Sequence, residues 1–385
     1  MNAIHIPLTL PKMLHLQKIS LVQFRNYVQQ EFSFTSKVIG ICGLNGSGKT
    51  TLLDAIYYLG FTKSYFTRND SQNVHHGLSG MRIKGDFVLK NEPHEIVAIL
   101  RENNKKEFSL NGDDYKKFSE HIGRFPCVMI APDDVAMVVG VSEERRKFVD
   151  TILSQLDRNY LQDLIDYTKI LQQRNSFLKQ AAESGKTNES LFQIINEQLS
   201  QKGIAIFKQR TTFLSEFILL VLEFYARISG KGDNVSINYS SNLQNGEMLQ
   251  LLQLSRQKDM LLQRTTIGIH KDDLEIKMGD TAFKNDASQG QRKSLLFAFK
   301  LAEWQTLKTK KGFAPILLLD DVFEKLDELR MHNLLQWVCS NEDGQVFITD
   351  THSARLQQQL NAINVTFQLM ELGERRVNDY GQEQV

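Results

Sequence analysis

Residues 37–52 read KVIGICGLNGSGKTTL, and the eight from Gly43 to Thr50 satisfy the pattern G-x-x-x-x-G-K-[ST] in full. The flanking residues fit the chemistry. Lys37–Cys42 is a short apolar run of buried-strand character, and the apolar spacing of TLLDAIYYLG after it predicts a helix. Glycines at these positions let backbone N–H groups turn toward phosphate oxygens, and a helix N-terminus adds a favourable dipole. Lys49 is spaced to reach the β- and γ-phosphates of ATP, and the Thr50 hydroxyl to ligate Mg²⁺. A nucleotide site is therefore expected over Gly43, Leu44, Asn45, Gly46, Ser47, Gly48, Lys49, Thr50 and Thr51. A Gly-rich surface turn with a solvated lysine is the competing interpretation, and the strand–loop–helix context speaks against it.

A second element lies far downstream. ILLLDD, Ile316 to Asp321, is an apolar strand ending in two carboxylates. In P-loop enzymes such a strand runs beside the phosphate loop, so Asp320 is expected to hold Mg²⁺ and Asp321 to orient or deprotonate the attacking water. Alone, a buried strand that stops at solvated acids is commonplace. About one helix earlier stands ASQGQRKSLLFAFKLAE, Ala287 to Glu303, which resembles the signature segment of ABC-type ATPases. Ser288, Gly290 and Gln291 would open a helix, where a hydroxyl and backbone N–H groups can bind an anion. The resemblance implies that this anion is the γ-phosphate held by a partner subunit. The plainer alternative is a serine N-cap with a polar first turn.

Composition sets the outer bounds. The chain has 385 residues, 41% hydrophobic and 24% charged, which suits a globular protein of two domains. With 46 Lys and Arg against 45 Asp and Glu, a nucleic-acid surface has to be a local basic patch. Three cysteines without zinc-ligand or redox spacing suggest buried reduced thiols and a cytosolic setting. The longest apolar run, FILLVL at Phe217–Leu222, is too short to span a membrane and sits between Glu216 and Glu223. No signal peptide is expected, and residues 1–12 read as a loose extension ahead of Met13.

Along the chain, Leu14 to Phe34 alternates as strands do, and MRIKGDFVL, EIVAIL and KEFSL read as further strands, with Asn111-Gly112 a hairpin turn. From Glu143 to about Arg264 the pattern is helical, punctuated by ESGKTN and SGKGDN. LEIKM-GD-TAF then reads as a hairpin. The expected architecture is an α/β ATPase head built from residues 13–142 and 265–385, interrupted by a helical arm over 143–264.

With these pieces placed, the chain resembles the RecF family, relatives of the SMC ATPases. FRNY at Phe24–Tyr27, PDDVAMVVG with ERRKFVD from Pro132 to Asp150, LQQRNSFLK at Leu171–Lys179, GIHKDDL at Gly268–Leu274 and LLLDDVFEKLDELR with its Asp327 all carry the likeness. There are departures: Thr51 stands where asparagine is typical, and Val141, Ser142, Ile269, Lys271, Glu324 and Lys325 depart from the family pattern. The resemblance implies an ABC-type P-loop ATPase head with an inserted arm, and a slow ATPase stimulated by DNA. It further implies an ATP-dependent homodimer in which Lys49, Thr50, Asp320 and Asp321 act from one chain and Ser288 and Asp327 from the other. The implied partners are double-stranded DNA and gap junctions, RecR and RecO, and through them RecA; no membrane is involved.

From the residues alone, Arg25, Lys63, Arg68, Arg145 and Arg146 are candidate phosphate contacts, each weighed against an ordinary ion-paired role. The segment Thr349, Asp350, Thr351 and His352 is the place for a switch loop, with His352 either a γ-phosphate contact or a surface residue. Three other functions share parts of the pattern. A transporter ATPase subunit is disfavoured by FRNY and the helical insertion, a nuclease-associated ATPase by the lack of room for a nuclease domain, and a non-hydrolysing clamp by the Asp320–Asp321 pair. The insertion lacks the sustained heptads of an extended SMC coiled coil.

Overall fold

A computed structural model describes residues 14–230, 233–321, 328–340 and 344–373. The expected extension at 1–12 and Asp327 lie outside the described residues. Fourteen strands are named here: β1 (Leu14–Phe24), β2 (Tyr27–Ser33), β3 (Val38–Cys42), β4 (Met81–Leu89), β5 (Glu92–Leu100), β6 (Lys106–Leu110), β7 (Asp113–Asp114), β8 (Cys127–Ile130), β9 (Val235–Ser240), β10 (Asp273–Met278), β11 (Thr281–Ala282), β12 (Ile316–Leu319), β13 (Val346–Asp350) and β14 (Phe367–Glu371). The chain divides into two compact units. One is formed by described residues within 1–118, 125–132 and 312–385, the other by 119–124 and 133–311.

The first unit contains two sheets. An antiparallel sheet has the order β2-β1-β4-β5-β6-β7, and a wholly parallel one the order β14-β3-β13-β12-β8. Every residue of β3, β8, β12 and β13 is buried, which explains why these strands read as unbroken apolar runs rather than alternating ones. The helix Lys49–Phe61 lies between the sheets. A side chain at Gly85 on β4 would strike Leu59, and one at Gly60 would strike the Phe125 carbonyl and the Cys127 sulfur. Eleven of the helix's thirteen residues are buried, which is why its pattern is apolar all round. The side chain of Gln345 completes the sandwich. It accepts from Leu16 N at 2.8 Å and donates to Leu16 O at 3.0 Å, satisfying the backbone where β1 shifts register. The Asn111-Gly112 turn between β6 and β7 has positive φ at both residues (54° and 86°), as a tight two-residue hairpin requires.

The second unit is built on the helices Ser142–Leu156, Arg158–Ser184, Glu189–Ser229 and Gln289–Lys311, with a small antiparallel sheet β11-β10-β9. The punctuation seen in sequence ends helices here: Gly185 and Gly230 are left-handed C-caps, and Asn188 caps the next helix by accepting from Leu191 N at 3.1 Å. Two features differ from expectation. Val235–Ser240 is a strand inside the region read as helical, paired along its length with β10. The helical unit also takes in 133–142 and 265–311, beyond the expected limits of 143 and 264. The physical reason is aromatic packing: Phe299, on the helix that follows the signature segment, meets Phe148 at 5.6 Å edge-on and Phe217 at 6.4 Å. Among the described residues no helix is long and apolar enough to cross a membrane.

Glu303, on the helix Gln289–Lys311, is 3% exposed and lies 3.9 Å from Lys300, which is also 3.5 Å from Asp134. Burial pushes the Glu303 carboxyl up to about 7, with Lys300 drawing it down and Asp134 raising it. A carboxyl raised on folding holds its proton more tightly in the folded chain, so its stabilising share is full below the unfolded value and is lost as pH rises through about 7. Glu303→Gln is therefore expected to raise the unfolding free energy by on the order of 3 kcal/mol at pH 8 and far less at pH 5. Thermal melts at the two pH values check this, and equal effects at both would show that Glu303 does not titrate in this way.

Candidate nucleotide-binding site

The carboxyl edge of the parallel sheet brings together residues from both ends of the first unit. β3 enters the loop at Gly43, whose N–H donates to the Asp350 carbonyl at 3.3 Å. Gly46 (φ 81°) and Gly48 (φ 106°) then take left-handed conformations that a side chain would strain. A Cβ at Gly48 would lie 2.5 Å from the Tyr27 hydroxyl, so the position demands glycine twice over. The loop is braced by the β1–β2 turn, where Tyr27 Oη donates to the Gly48 carbonyl at 3.2 Å and Asn26 Nδ2 to the Gly46 carbonyl at 3.3 Å. Lys49 Nζ donates across the loop to the Gly43 carbonyl at 2.7 Å and the Leu44 carbonyl at 3.2 Å. Leu44 is 58% exposed at the rim, Asn45 is exposed, and Thr51 is half-buried on the helix's first turn.

Behind the loop the acidic strand arrives. Thr50 Oγ1 donates to the Asp320 carboxylate, 3.0 and 2.9 Å from its two oxygens, and Thr349 Oγ1 donates to Asp320 Oδ1 at 2.8 Å. Asp320 is 4% exposed, and burial pushes its carboxyl up to about 6. The two threonine hydroxyls pull it back, Asp321 raises it, and Lys49 lowers it. Asp321 turns out of the sheet with φ 44° and is half-buried. These donors suit a hard cation: one buried carboxylate and one hydroxyl, leaving most of an octahedral shell for phosphate and water oxygens. The loop itself fits a phosphate chain, since the Ser47 hydroxyl is buried with no hydrogen-bond partner from the protein.

The segment from Thr349 to His352, the place expected for a switch loop, is anchored by Asp350. Asp350 is 1% exposed, and Arg355 grips it with two N–H groups at 2.9 and 2.5 Å while His352 N donates to it at 3.0 Å. His352 caps the helix Ser353–Ala362 with its side chain exposed.

In the second unit, Ser288 and Gln291 bond reciprocally. Ser288 N donates to Gln291 Oε1 at 2.8 Å and Gln291 N to Ser288 Oγ at 3.3 Å, a capping arrangement that opens the helix Gln289–Lys311. Ser288 is exposed and Gly290 half-buried at that helix start.

Three of the candidate phosphate contacts are spent inside the protein. Arg25 pairs with the fully buried Asp54 at 2.6 Å and also reaches Ser64 and Asn73. Arg145 grips Asp273 with two N–H groups at 2.6 and 3.0 Å and donates to the Gly140 carbonyl at 2.9 Å. Arg146 donates to the Asp272 carbonyl at 2.6 Å and to Ser142 at 2.8 Å. Lys63 and Arg68 are exposed. Sequence reasoning missed the bracing by Asn26 and Tyr27, the Asp54–Arg25 pair and the bond from Thr349 to Asp320. A lone aspartate in the apolar helix LLDAIYYL was the available signal for a buried partner.

The RecF/RecN/SMC N-terminal domain family matches residues 15–372. The DNA replication and repair protein RecF of Flavobacterium johnsoniae is 41% identical over 93% of this chain and 100% of its own length. The chain belongs to the RecF family. The RecF of Bacteroides thetaiotaomicron is 38% identical over 96% of the chain and 100% of its own length. Among solved structures, the recombination mediator protein RecF-ATP of the RecFOR pathway is similar with a TM-score of 0.82 at 30% identity, covering 92% of this chain and 95% of that one. The Smc head domain from Pyrococcus furiosus, at 16% identity and a TM-score of 0.52, shares the ABC-type head fold.

Arg25→Ala would leave the Asp54 carboxyl buried beside the phosphate-loop helix without its cation. The expected cost is about 3 kcal/mol of unfolding free energy, read from urea melts. A variant as stable as the parent but weaker on DNA would instead return Arg25 to the surface contacts.

Proposed function

We propose that this RecF-family chain is an ATP-dependent DNA repair protein that dimerises on ATP over double-stranded DNA and helps load recombinase at gapped DNA. What supports this most is the meeting of Thr50 with Asp320 directly behind an intact phosphate loop. Lys49 would exchange its two carbonyl acceptors for the β- and γ-phosphates, and the loop N–H groups would take the remaining oxygens. Mg²⁺ held by Thr50 and Asp320 would neutralise charge developing on the phosphates. Asp321, on the left-handed turn, would orient or accept a proton from the attacking water. A slow hydrolysis stimulated by DNA would reset the protein.

The second half of the site comes from another copy. Ser288, Gly290 and Gln291 stand at an exposed helix start, a position suited to a γ-phosphate presented from outside. Asp327 would act from the same side. By this arrangement a single chain binds ATP, and two chains are needed to hydrolyse it efficiently. RecO and RecR are the proposed partners, with RecA downstream, as the RecFOR pathway of the ATP-bound relative suggests. The three cysteines are buried and free of disulfides, which suits the cytosol.

A mixing experiment tests the shared site. Lys49→Ala and Ser288→Arg chains are each expected to lack ATPase activity alone, and an equal mixture to recover about a quarter to a half of a dimer's activity through one intact composite site. No recovery from folded chains that still associate would remove the two-copy arrangement. Sedimentation with and without Mg·ATP supplies the association measurement.

A further inference from the structure

Thr349 belongs to the switch segment, yet it faces inward and is fully buried. In the parallel ladder Leu319 pairs with Ile348, so the residues that follow, Asp320 and Thr349, lie side by side at the carboxyl edge of β12 and β13. The Thr349 hydroxyl makes two bonds of 2.8 Å: it donates to Asp320 Oδ1 and accepts from Asp321 N. A hydroxyl has one proton and an amide N–H can only donate, so the direction is set, from Asp321 N–H through Thr349 to the Asp320 carboxylate. The Asp321 amide, which would otherwise seek a carbonyl in the ladder, is satisfied by a side chain. The chain is thereby free to leave the sheet at Asp321 with its left-handed φ of 44°.

The other hydroxyl on Asp320 belongs to Thr50, whose single proton is shared between both carboxylate oxygens at 3.0 and 2.9 Å. Thr50 sits on the phosphate-loop helix and has a second task, since its oxygen would ligate the cation. Thr349 sits on a neighbouring strand and has no such competing demand. We infer that Thr349 is a positioning residue, holding the Asp320 carboxylate and the Asp321 turn in register for Mg²⁺-dependent ATP binding and turnover without touching the nucleotide. The inference rests on the nucleotide site proposed above.

The test uses the full chain and a fluorescent ATP analogue, titrated with Mg²⁺ and with EDTA. Thr349→Val keeps the shape of the side chain and removes the hydroxyl; Thr349→Ala removes it without the branch, and Thr349→Ser keeps it. The valine and alanine chains are expected to bind the analogue about tenfold more weakly than the parent in Mg²⁺, the loss of one hydrogen bond to a charged group, and equally in EDTA. Turnover at saturating Mg·ATP should fall in the same two chains, and the serine chain should return both quantities to near the parent values. Parent-like binding by valine and alanine, an equal loss in EDTA, or no rescue by serine would each overturn the inference. So would unfolding of both hydroxyl-free variants beside a folded serine chain, which would make Thr349 a structural group only. A parent chain that gains nothing from Mg²⁺ is a different outcome: it removes the nucleotide site itself, and this inference with it.

Discussion

The Thr50 hydroxyl and the Asp320 carboxylate lie 270 residues apart in the chain and 2.9 Å apart in the fold. That contact exists only because β3 is sandwiched between β13 and β14, and β12 between β13 and β8. The parallel sheet cannot close until the last third of the chain returns to the first. Such a topology has slow, non-local closure, and the insertion of a whole helical unit between the two halves lengthens it further. What holds the returning strands is not the site but the apolar content of β3, β8, β12 and β13, buried along their full length. The polar groups are confined to the carboxyl edge, where the loops leave the sheet. The layer arrangement thus gathers the loops and their polar groups at the edge of a dry parallel sheet, and the Asp320 carboxylate there is costly because the sheet excludes water.

In the second unit the polar groups are placed inside instead. Arg210, 2% exposed, bonds Asp150 through both of its oxygens, Asp272, Tyr160 and the Ile269 carbonyl. Arg174, fully buried, bonds Asp259, Thr265 and Asn196. His270 faces Tyr167 at 2.7 Å, and burial pushes the imidazole down to about 4, keeping it neutral at ordinary pH. These groups tie the helices Ser142–Leu156, Arg158–Ser184 and Glu189–Ser229 to the segment before β10. Buried ion pairs add little net stability compared with apolar packing, but breaking one is expensive, so a wrong helix register would leave charges stranded. The network therefore discriminates between packings of long, rather uniform helices that leucine contacts alone would rank nearly equal.

How much of this could be read from the residues depended on range. The phosphate loop, its strand and its helix are contiguous, and the glycines, lysine and threonine each carry their own reason, so that part was legible in full. The acidic strand was legible as a compact apolar run ending in carboxylates, and the Ser288 segment as the start of a helix. Val235–Ser240 was not, because six residues of VSINYS after a Gly-rich break give too short a pattern to outweigh the helical texture around them. The extent of the second unit was also hidden: Phe148, Phe217 and Phe299 look like ordinary core residues, and only their mutual packing assigns the last of them. Asn26 and Tyr27 brace a loop some twenty residues away through backbone carbonyls, an interaction to which no side-chain pattern points.

The arginines most visible in the sequence carry a last lesson about charge. Arg25, Arg145, Arg146 and Arg174 stand in the strings that resemble the family, and each of them, like Arg210, is bonded to acceptors inside the protein. Arg210 holds Asp150 and Asp272 through several N–H groups, and a guanidinium so placed cannot also meet a phosphate without leaving those carboxylates unpaired in a low dielectric. Attraction for a polyanion must therefore be carried by cations whose heads reach solvent, and with 46 basic against 45 acidic residues those heads have to be clustered rather than numerous. Lys63 and Arg68 are exposed on the segment after the phosphate-loop helix. Ser64, which lies between them in sequence, bonds both members of the buried Arg25–Asp54 pair.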